Sequence, residues 1–514
     1  MSERVRFFKS GVMLTIVALA MRTVTMLFGA FISRSVGAEG VGLYTVVMTV
    51  YSFAVTFATS GISLTVTRLV ASAIGEGRED RVGRVVRGAL LYSLAFGAMA
   101  TLILYFGADL IGERILNDIR TVNSLKLLSF SLIPISFGSI ISGYFVGVRR
   151  VGFNAASQVV GQLIKIVVTV LLVMRFCSDG IERSVSALCL GITLTELIGF
   201  LIQLAELAYD RLKYAKGRGG AAAEIGAVVG TALPLAFSAY VRSAFLTLEH
   251  ILIPKRLKDG GESSADAYSH YGLLHGMAIP IILYPMSPLS SFSGLLVPEF
   301  ASDSSRGGID RMNRIASEAI NTTLTYATAC AVMLYFFAEE LGYAVYGSYE
   351  AGKYIALLSG VVPIMYLDHV TDSMLKGVGE QVFSLWVNIS DSVLSIILVW
   401  FLIPRMGISG YALVIIIMEV YNFALSYIRL KKHVCIKLTP VRSLAVPLAS
   451  CTLAASITGA LFRFGGRSSP VVWLIVKMVF CLALSVAFVL FANSFFQSKA
   501  AKTHGEKEST SPSI

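Results

Sequence analysis

Charge is what this chain is shortest of. Asp, Glu, Lys and Arg make up 15% of its 514 residues, against about 25% in soluble globular proteins, which excludes an ordinary soluble enzyme. Cysteine is sparse: Cys177, Cys189, Cys330, Cys435, Cys451 and Cys481 are scattered without CxxC spacing, so neither a disulfide framework nor a zinc site is expected. The histidines His250, His270, His275, His433 and His504 form no HExxH or paired metal spacing, and no metal is expected. No GxxxxGK[ST] loop occurs, so direct ATP hydrolysis is excluded as the motor, and no cofactor is expected. Long polar connections are missing too. None between apolar runs exceeds about 20 residues, too short to fold alone, so the chemistry must take place between helices.

What is abundant is apolar sequence. Hydrophobic residues make up 55% of the chain and mean hydropathy is +0.73, which makes the bilayer the main solvent. About 20 apolar residues cross a hydrocarbon core. Marking such runs gives fourteen candidate spans, near 11–33, 42–67, 88–111, 123–148, 153–175, 185–209, 225–253, 271–297, 316–340, 353–375, 382–403, 410–429, 443–462 and 471–494. The first follows Arg4, Arg6 and Lys9 but is long and lacks a small-residue cleavage site, so it is expected to stay as a membrane helix.

The net charge of +11 lies in the short connections, which argues against nucleic acid. With the N-terminus inside, the inner connections hold about twice the Lys and Arg of the outer ones, which places both termini in the cytoplasm. The inner clusters are Arg78, Arg81, Arg84 and Arg87; Arg211, Lys213, Lys216 and Arg218; and Lys431, Lys432, Lys437 and Arg442. They are expected to set topology beside anionic lipid.

Sliding the chain on itself by 220–231 residues brings weak but recurrent features into register. Met21-Arg22-Thr23 faces Val241-Arg242-Ser243, Gly42-Leu43 faces Gly272-Leu273, and Pro134-Ile135 faces Pro363-Ile364. Gly-Val pairs begin at Gly147 and Gly377; Lys165 faces Asp391, and Glu196 faces Glu419. The expected architecture is an all-α polytopic membrane protein of two six-helix lobes, 1–210 and 225–430, related by a parallel repeat. Two further helices follow in 443–494, then a disordered cytoplasmic tail in 495–514.

An ionisable group at bilayer depth costs at least about 2.5–3.5 kcal/mol, so each must be paired or face a wet cavity. Arg22 and Arg242 sit deep in the first helix of each lobe. Facing one cavity they would bind phosphate or carboxylate; otherwise each partners a carboxylate such as Glu249. Glu196 and Glu419 read as structural pairs. Lys165 and Asp391, of opposite charge at equivalent positions, read as a gate that pairs in one state and separates in the other. Asp368 and Asp372, one helical turn apart beside His369, read as a solvated face or gate, with cation holding or proton sharing as the alternative. Asn154, Gln158, Ser142 and Ser157 would line the cavity, although hydroxyl residues also serve helix packing.

These residues resemble a known family. The stretch SRSVGAEGVGLYTVVMTVYSFAVTFATSGISLTVTRLVAS (Ser33 to Ser72) looks like the N-terminal signature of the stage V sporulation protein B branch of polysaccharide-exporting flippases, in the multidrug/oligosaccharidyl-lipid/polysaccharide superfamily. The likeness continues at Ser142 to Lys165, Tyr271 to Ala301, Met374 to Gln381 and Leu402 to Leu413. The resemblance implies a fourteen-helix, two-lobed transporter that turns a lipid-linked saccharide from the inner to the outer leaflet. Arg22 and Arg242 match the cavity arginines that serve the pyrophosphate in related lipid II flippases. Three positions depart from the pattern: Gly161 stands for a glutamate, Asp391 for a basic residue and Lys376 for a glutamine.

The expectation is therefore a monomeric, non-enzymatic flippase of the bacterial cell membrane, with a lipid-linked saccharide substrate and membrane lipid as its partners. A cation-coupled multidrug exporter on the same fold is the alternative, disfavoured because the first span carries Arg22 and no acid. A membrane glycosyltransferase is disfavoured because no large outside loop or metal-binding acid motif occurs.

Overall fold

The computed structural model describes residues 3–214, 222–462 and 470–509. Among them there is no strand. The helices are α1 (Glu3–Thr59), α2 (Ile62–Gly75), α3 (Glu79–Leu110), α4 (Arg120–Ser129), α5 (Leu132–Gly147), α6 (Val151–Phe176), α7 (Ile181–Tyr214), α8 (Ala222–Asp259), α9 (Ser264–Tyr271) and α10 (Ile279–Leu283). They continue as α11 (Ser287–Ser305), α12 (Ile309–Phe336), α13 (Ala338–Tyr346), α14 (Tyr349–Ser359), α15 (Val362–Gly377), α16 (Gln381–Met406), α17 (Ile408–Leu430), α18 (Val446–Leu461) and α19 (Pro470–Ser509).

Among the described residues eleven helical segments are long and apolar enough to cross a membrane, or thirteen when each of two bent pairs, α4 with α5 and α14 with α15, is taken as one span. The protein is a multi-pass membrane protein. The difference from the fourteen expected spans lies in Ala20–Gly75, which runs 56 residues as one segment, about 84 Å if straight and so long enough for two crossings. A kink at Gly37, whose positive φ of 73° suits glycine, falls where the sequence reading placed a connection. The segment from Gln497, expected to be disordered, continues α19 as far as Ser509. It carries Ala, Lys and Glu at most of its positions there, all good helix formers.

The apolar pattern is that of a chain dissolved in lipid. Phe106, Leu171, Leu490 and Phe491 are largely exposed, whereas Ser60, Thr65, Ser124, Ser129, Ser131 and Ser136 are fully buried. Small polar residues let membrane helices approach closely and bond across the gap; Tyr51 and Ser131 hydroxyls lie 2.6 Å apart.

Two compact units are formed, one of Met1–Ala30, Leu273–Asp391 and Ala412–Ile514, the other of Phe31–Gly272 and Ser392–Tyr411. The second has a core of Ile62, Val66, Val70 and Ala73 on α2 against Val82, Val85 and Ala89 of α3, Ile140 and Tyr144 of α5, and Val228 and Ala232 of α8. The first has Leu296 and Phe300 of α11 against Ala316 and Ile320 of α12 and Val370 and Met374 of α15.

These cores share a plan. At a constant offset of 230 residues α5 recurs as α15 and α6 as α16, with identical lengths of 16 and 26 residues. Gly147 ends α5 against Val70 and Thr67, and Gly377 ends α15 against Phe300 and Val297, each neighbour again 230 residues on. Within the second unit, Gly42 and Gly272, equated by the repeat, are neighbours. A Cβ on Gly272 would lie 2.6 Å from the Gly42 nitrogen.

Candidate functional site

Arg22 is half-buried on α1 and donates from Nη2 to the Leu283 carbonyl at 2.7 Å. That carbonyl is available because the helix breaks there. Residues Gly272–Ala278 form a wide π-helical turn. The tight turn Tyr284–Met286 sends the Ser287 N–H to Tyr284 O in place of Leu283 O, its partner in an α-helix, and Pro285 and Pro288 supply no N–H. Its neighbours are satisfied in the same way, Ile282 O accepting from Tyr366 Oη and Pro285 O from Tyr326 Oη, both at 2.7 Å. Thr23 and Tyr284 hydroxyls meet at 2.7 Å. Arg22 thus holds a broken helix through a backbone oxygen, where a carboxylate was the structural partner expected. Of its five N–H donors this bond uses one.

Arg242 lies within the apolar segment Glu224–Asp259. It is exposed and has no hydrogen-bond or ion-pair partner among the described residues. One face of α8 is committed to packing: Tyr240 bonds Ser60, Ser243 Oγ donates to Thr56 Oγ1 at 3.4 Å, and His250 Nδ1 meets Tyr271 Oη at 2.9 Å. Arg242 is turned off that face. Glu249, seven residues on, shares its side of the helix and accepts from Ser395 Oγ at 2.6 Å. Arg22 and Arg242 belong to different compact units.

The remaining expected residues fall into local groups. On α6, Gln158 is exposed, Ser157 donates to Glu206 Oε2 at 3.0 Å, and the Asn154 side chain lies outside the described residues. α6 packs along α7, where Lys165 acts electrostatically on Glu196. Asp391 accepts from Asn422 Nδ2 at 3.0 Å. Asp368 and Asp372 line a small cavity of about 50 Å³ with Ser384, Val387, Asn388, Asn422 and Ser426. Asp368 Oδ1, Ser384 Oγ and Asn422 Oδ1 are buried there without hydrogen-bond partners among the described residues, so that oxygen of the half-buried Asp368 is turned away from solvent. Asp372 is paired with Lys376 at 2.5 Å, which gives the departure at position 376 a local reason. Among the described residues no group of three His, Cys, Asp or Glu is arranged to hold a metal ion.

Sequence reasoning missed the partners more than the principals. Tyr326 and Tyr366 carried no signal, but Pro285 and Pro288 did, since paired prolines in a span announce freed carbonyls. Two ion pairs at helix ends were also missed. Arg150 on the turn before α6 bonds Asp210 of α7, which also takes the Tyr144 hydroxyl at 2.5 Å. Glu380, before α16, takes Arg429 of α17 at 2.7 Å and His433 at 2.9 Å. These two partners hold the Glu380 carboxyl below the usual range, Arg429 contributing most.

Against known proteins, the model of the polysaccharide biosynthesis protein family matches residues 7–302, more than half of the chain. The chain belongs to this family. Two relatives from Bacillus subtilis are stage V sporulation protein B, 24% identical over 413 residues that cover 78% of this chain and 80% of that one, and the lipid II flippase MurJ, 22% identical over 457 residues and 83% of each. Among solved structures, the lipid II flippase MurJ in an inward closed conformation aligns with a TM-score of 0.71 at 13% identity, covering 94% of this chain and all of that one. An inward-facing multidrug resistance MATE family transporter of the MOP superfamily aligns at 0.63 and 15% identity, over 80% and 95%. At these identities the likeness to both structures shows the fold alone. The relatives named by activity are a flippase and a transporter, not enzymes.

Proposed function

We propose that this family member is a flippase that carries a lipid-linked saccharide, held by its pyrophosphate, from the inner to the outer leaflet of the bacterial cell membrane by alternating access. The observation that carries this reading is Arg242: a guanidinium without a protein partner among the described residues, on a membrane-length apolar helix. Such a charge costs at least about 2.5–3.5 kcal/mol unless water or an anion meets it. Arg22, at the equivalent place in the other lobe, would join it on the pyrophosphate, and Gln158 and Asn154 would bond the sugar. The names of the relatives, a lipid II flippase and a sporulation protein, support the substrate class.

The lobes of this reading are 1–210 and 225–430, with 443–494 added and both termini in the cytoplasm. Contact between the repeat-equivalent Gly42 and Gly272 supports it, because equivalent residues meet where a two-fold axis passes. Lys165 and Asp391, with Glu249, Asp368 and Asp372, serve as the groups that change partners between states, and the protein works as a monomer. The head group must cross about 30 Å of hydrocarbon. An uncompensated double negative charge moving outward gains about 2 × 2.3 kcal/mol per 100 mV of membrane potential.

The test is translocation of a labelled lipid-linked saccharide in proteoliposomes. Arg242→Ala at normal melting temperature is expected to lower the rate at least about tenfold, and Arg242→Lys to retain part of it, since lysine keeps the charge but loses the bidentate fork. Wild-type rates in Arg242→Ala would remove that residue from the substrate path. Rescue of a strain lacking its own lipid II flippase then tests the substrate.

A further inference from the structure

Between Glu419 and Glu506 the sequence has no Asp or Glu, yet it has ten Lys and Arg. Elsewhere the cations at helix ends have carboxylates: Arg81 has Glu224, Arg150 has Asp210, and Arg311 has Glu299 and Asp303. In this stretch Arg429 and His433 share Glu380, whereas Lys432, Lys437 and Arg442 have no ion-pair partner among the described residues.

The connection from α17 to α18 presents those cations in a fixed way. Its extended chain runs along α12 on a ladder of side chains. Cys435 N–H donates to Asn313 Oδ1 at 2.6 Å, Lys437 N–H to Ser317 Oγ at 3.0 Å and Thr439 N–H to Asn321 Oδ1 at 2.9 Å. Asn321 Nδ2 returns a bond to Lys437 O at 2.8 Å. Two residues of strand rise about 6.6 Å and four of helix about 6.0 Å, so alternate residues of one meet every fourth residue of the other.

The ladder ends at a cleft of about 350 Å³ lined by Asn321, Thr322, Thr325, Thr439, Arg442, Ser443 and Val489. Most of its hydroxyl hydrogens are committed: Thr325 donates to Asn321 O, Thr439 to Asn321 Oδ1 and Ser443 to Thr439 O. The donors left to a ligand are the Arg442 guanidinium and the Thr322 hydroxyl, both exposed. The face of α19 that carries Val489 also carries exposed Val486 and Leu482, one and two helical turns along, and is flanked by exposed Leu490. A polar mouth with a free guanidinium at the head of an apolar track fits an anionic amphiphile.

We propose that this cleft binds the phosphate of a membrane lipid, with Arg442 as its main donor, Thr322 as its second and α19 as the surface for the chains. It does not depend on the flippase reading.

Native mass spectrometry of the full-length protein in detergent tests it, with phosphatidylglycerol, phosphatidylcholine and inorganic phosphate as probes. Wild type is expected to retain phosphatidylglycerol about tenfold better than phosphatidylcholine, and Arg442→Gln to lose about tenfold in phosphatidylglycerol affinity with its unliganded melting temperature unchanged. Arg442→Lys should keep part of the binding, and Thr322→Val, which leaves the charge in place, should weaken it about threefold. Equal retention of the two lipids, or wild-type binding by both Arg442→Gln and Thr322→Val, overturns the proposal. Displacement of bound lipid by millimolar inorganic phosphate would make this a soluble-anion site and overturn it as well.

Discussion

The helix pairs α5–α6 and α15–α16 are two versions of one device. They match in length, in the 230-residue offset and in the glycine that ends the first helix of each. They differ in charge. The staple to the following helix is Arg150 to Asp210 in one and Glu380 to Arg429 in the other, with the charge reversed at the equivalent positions 150 and 380. Further along, the same offset sets Lys165 in α6 against Ser395 in α16 and Asp391 against Gly161, so the weak sequence match of Lys165 with Asp391 is not the register of the two helices. Backbone geometry is thus the shared part, set by small residues at close approaches, while charge is free to vary so long as each buried ion has a partner. What that comparison teaches is which differences matter. A reversed pair is structurally equivalent, and only an ion without a partner, such as Arg242, points beyond the protein.

The comparison breaks most readily at the buried staple. Asp210 is 3% exposed and takes both Arg150 and the Tyr144 hydroxyl, so Asp210→Asn is expected to cost about 3 kcal/mol in denaturant melts. The counterpart Arg429, 34% exposed, should cost under about 1 kcal/mol as Arg429→Gln. Installing the other polarity with Arg150→Glu and Asp210→Arg together should recover most of the Asp210→Asn loss. Failure to recover would show that the two staples are not interchangeable.

Next come the glycines. A Cβ on Gly377 would lie 2.6 Å from Phe300 Cβ and 2.9 Å from Val297 O, whereas one on Gly147 would lie 3.0 Å from Val70 and 3.1 Å from Thr67 O. Gly377→Val is therefore expected to destabilise by about 2–3 kcal/mol and Gly147→Val by about 1–2 kcal/mol, read as thermal shifts in detergent. The reverse order would mean that the tightness of the two approaches does not govern the frame.

The smallest effect is a pH dependence confined to one staple. Glu380 has its carboxyl lowered by Arg429 and His433, so its contribution is complete above the ordinary value of 4.5 and fades as pH falls through the lower, folded value. Wild type minus Glu380→Gln should be flat in stability from neutral pH down to 4.5 and converge as pH falls from there through the folded value. Convergence already at neutral pH would assign the contribution to another group.

Much of this frame was legible in the sequence because it rests on composition and spacing. Apolar runs announce spans, and the weak self-match of Gly147 with Gly377 and Pro134 with Pro363 announces the duplicated helices. The span count was harder, since Gly37 kinks a helix without interrupting it. Of the candidate site, the ionisable residues were visible because membrane sequence makes them rare. Their partners were not. Arg22 bonds a backbone carbonyl beside a tight turn, Asp391 bonds Asn422, and Glu249 accepts from Ser395; neutral donors and backbone oxygens carry no charge pattern to read.

The proposal that two arginines serve one pyrophosphate is most directly examined by a double-mutant cycle on the rate of lipid-linked saccharide translocation in proteoliposomes. If Arg22 and Arg242 hold the same group, each alanine variant should slow translocation at least about tenfold, and the double variant should be far less impaired than the product of the two single losses. Singles at wild-type rate, or losses that simply multiply, would contradict a shared site.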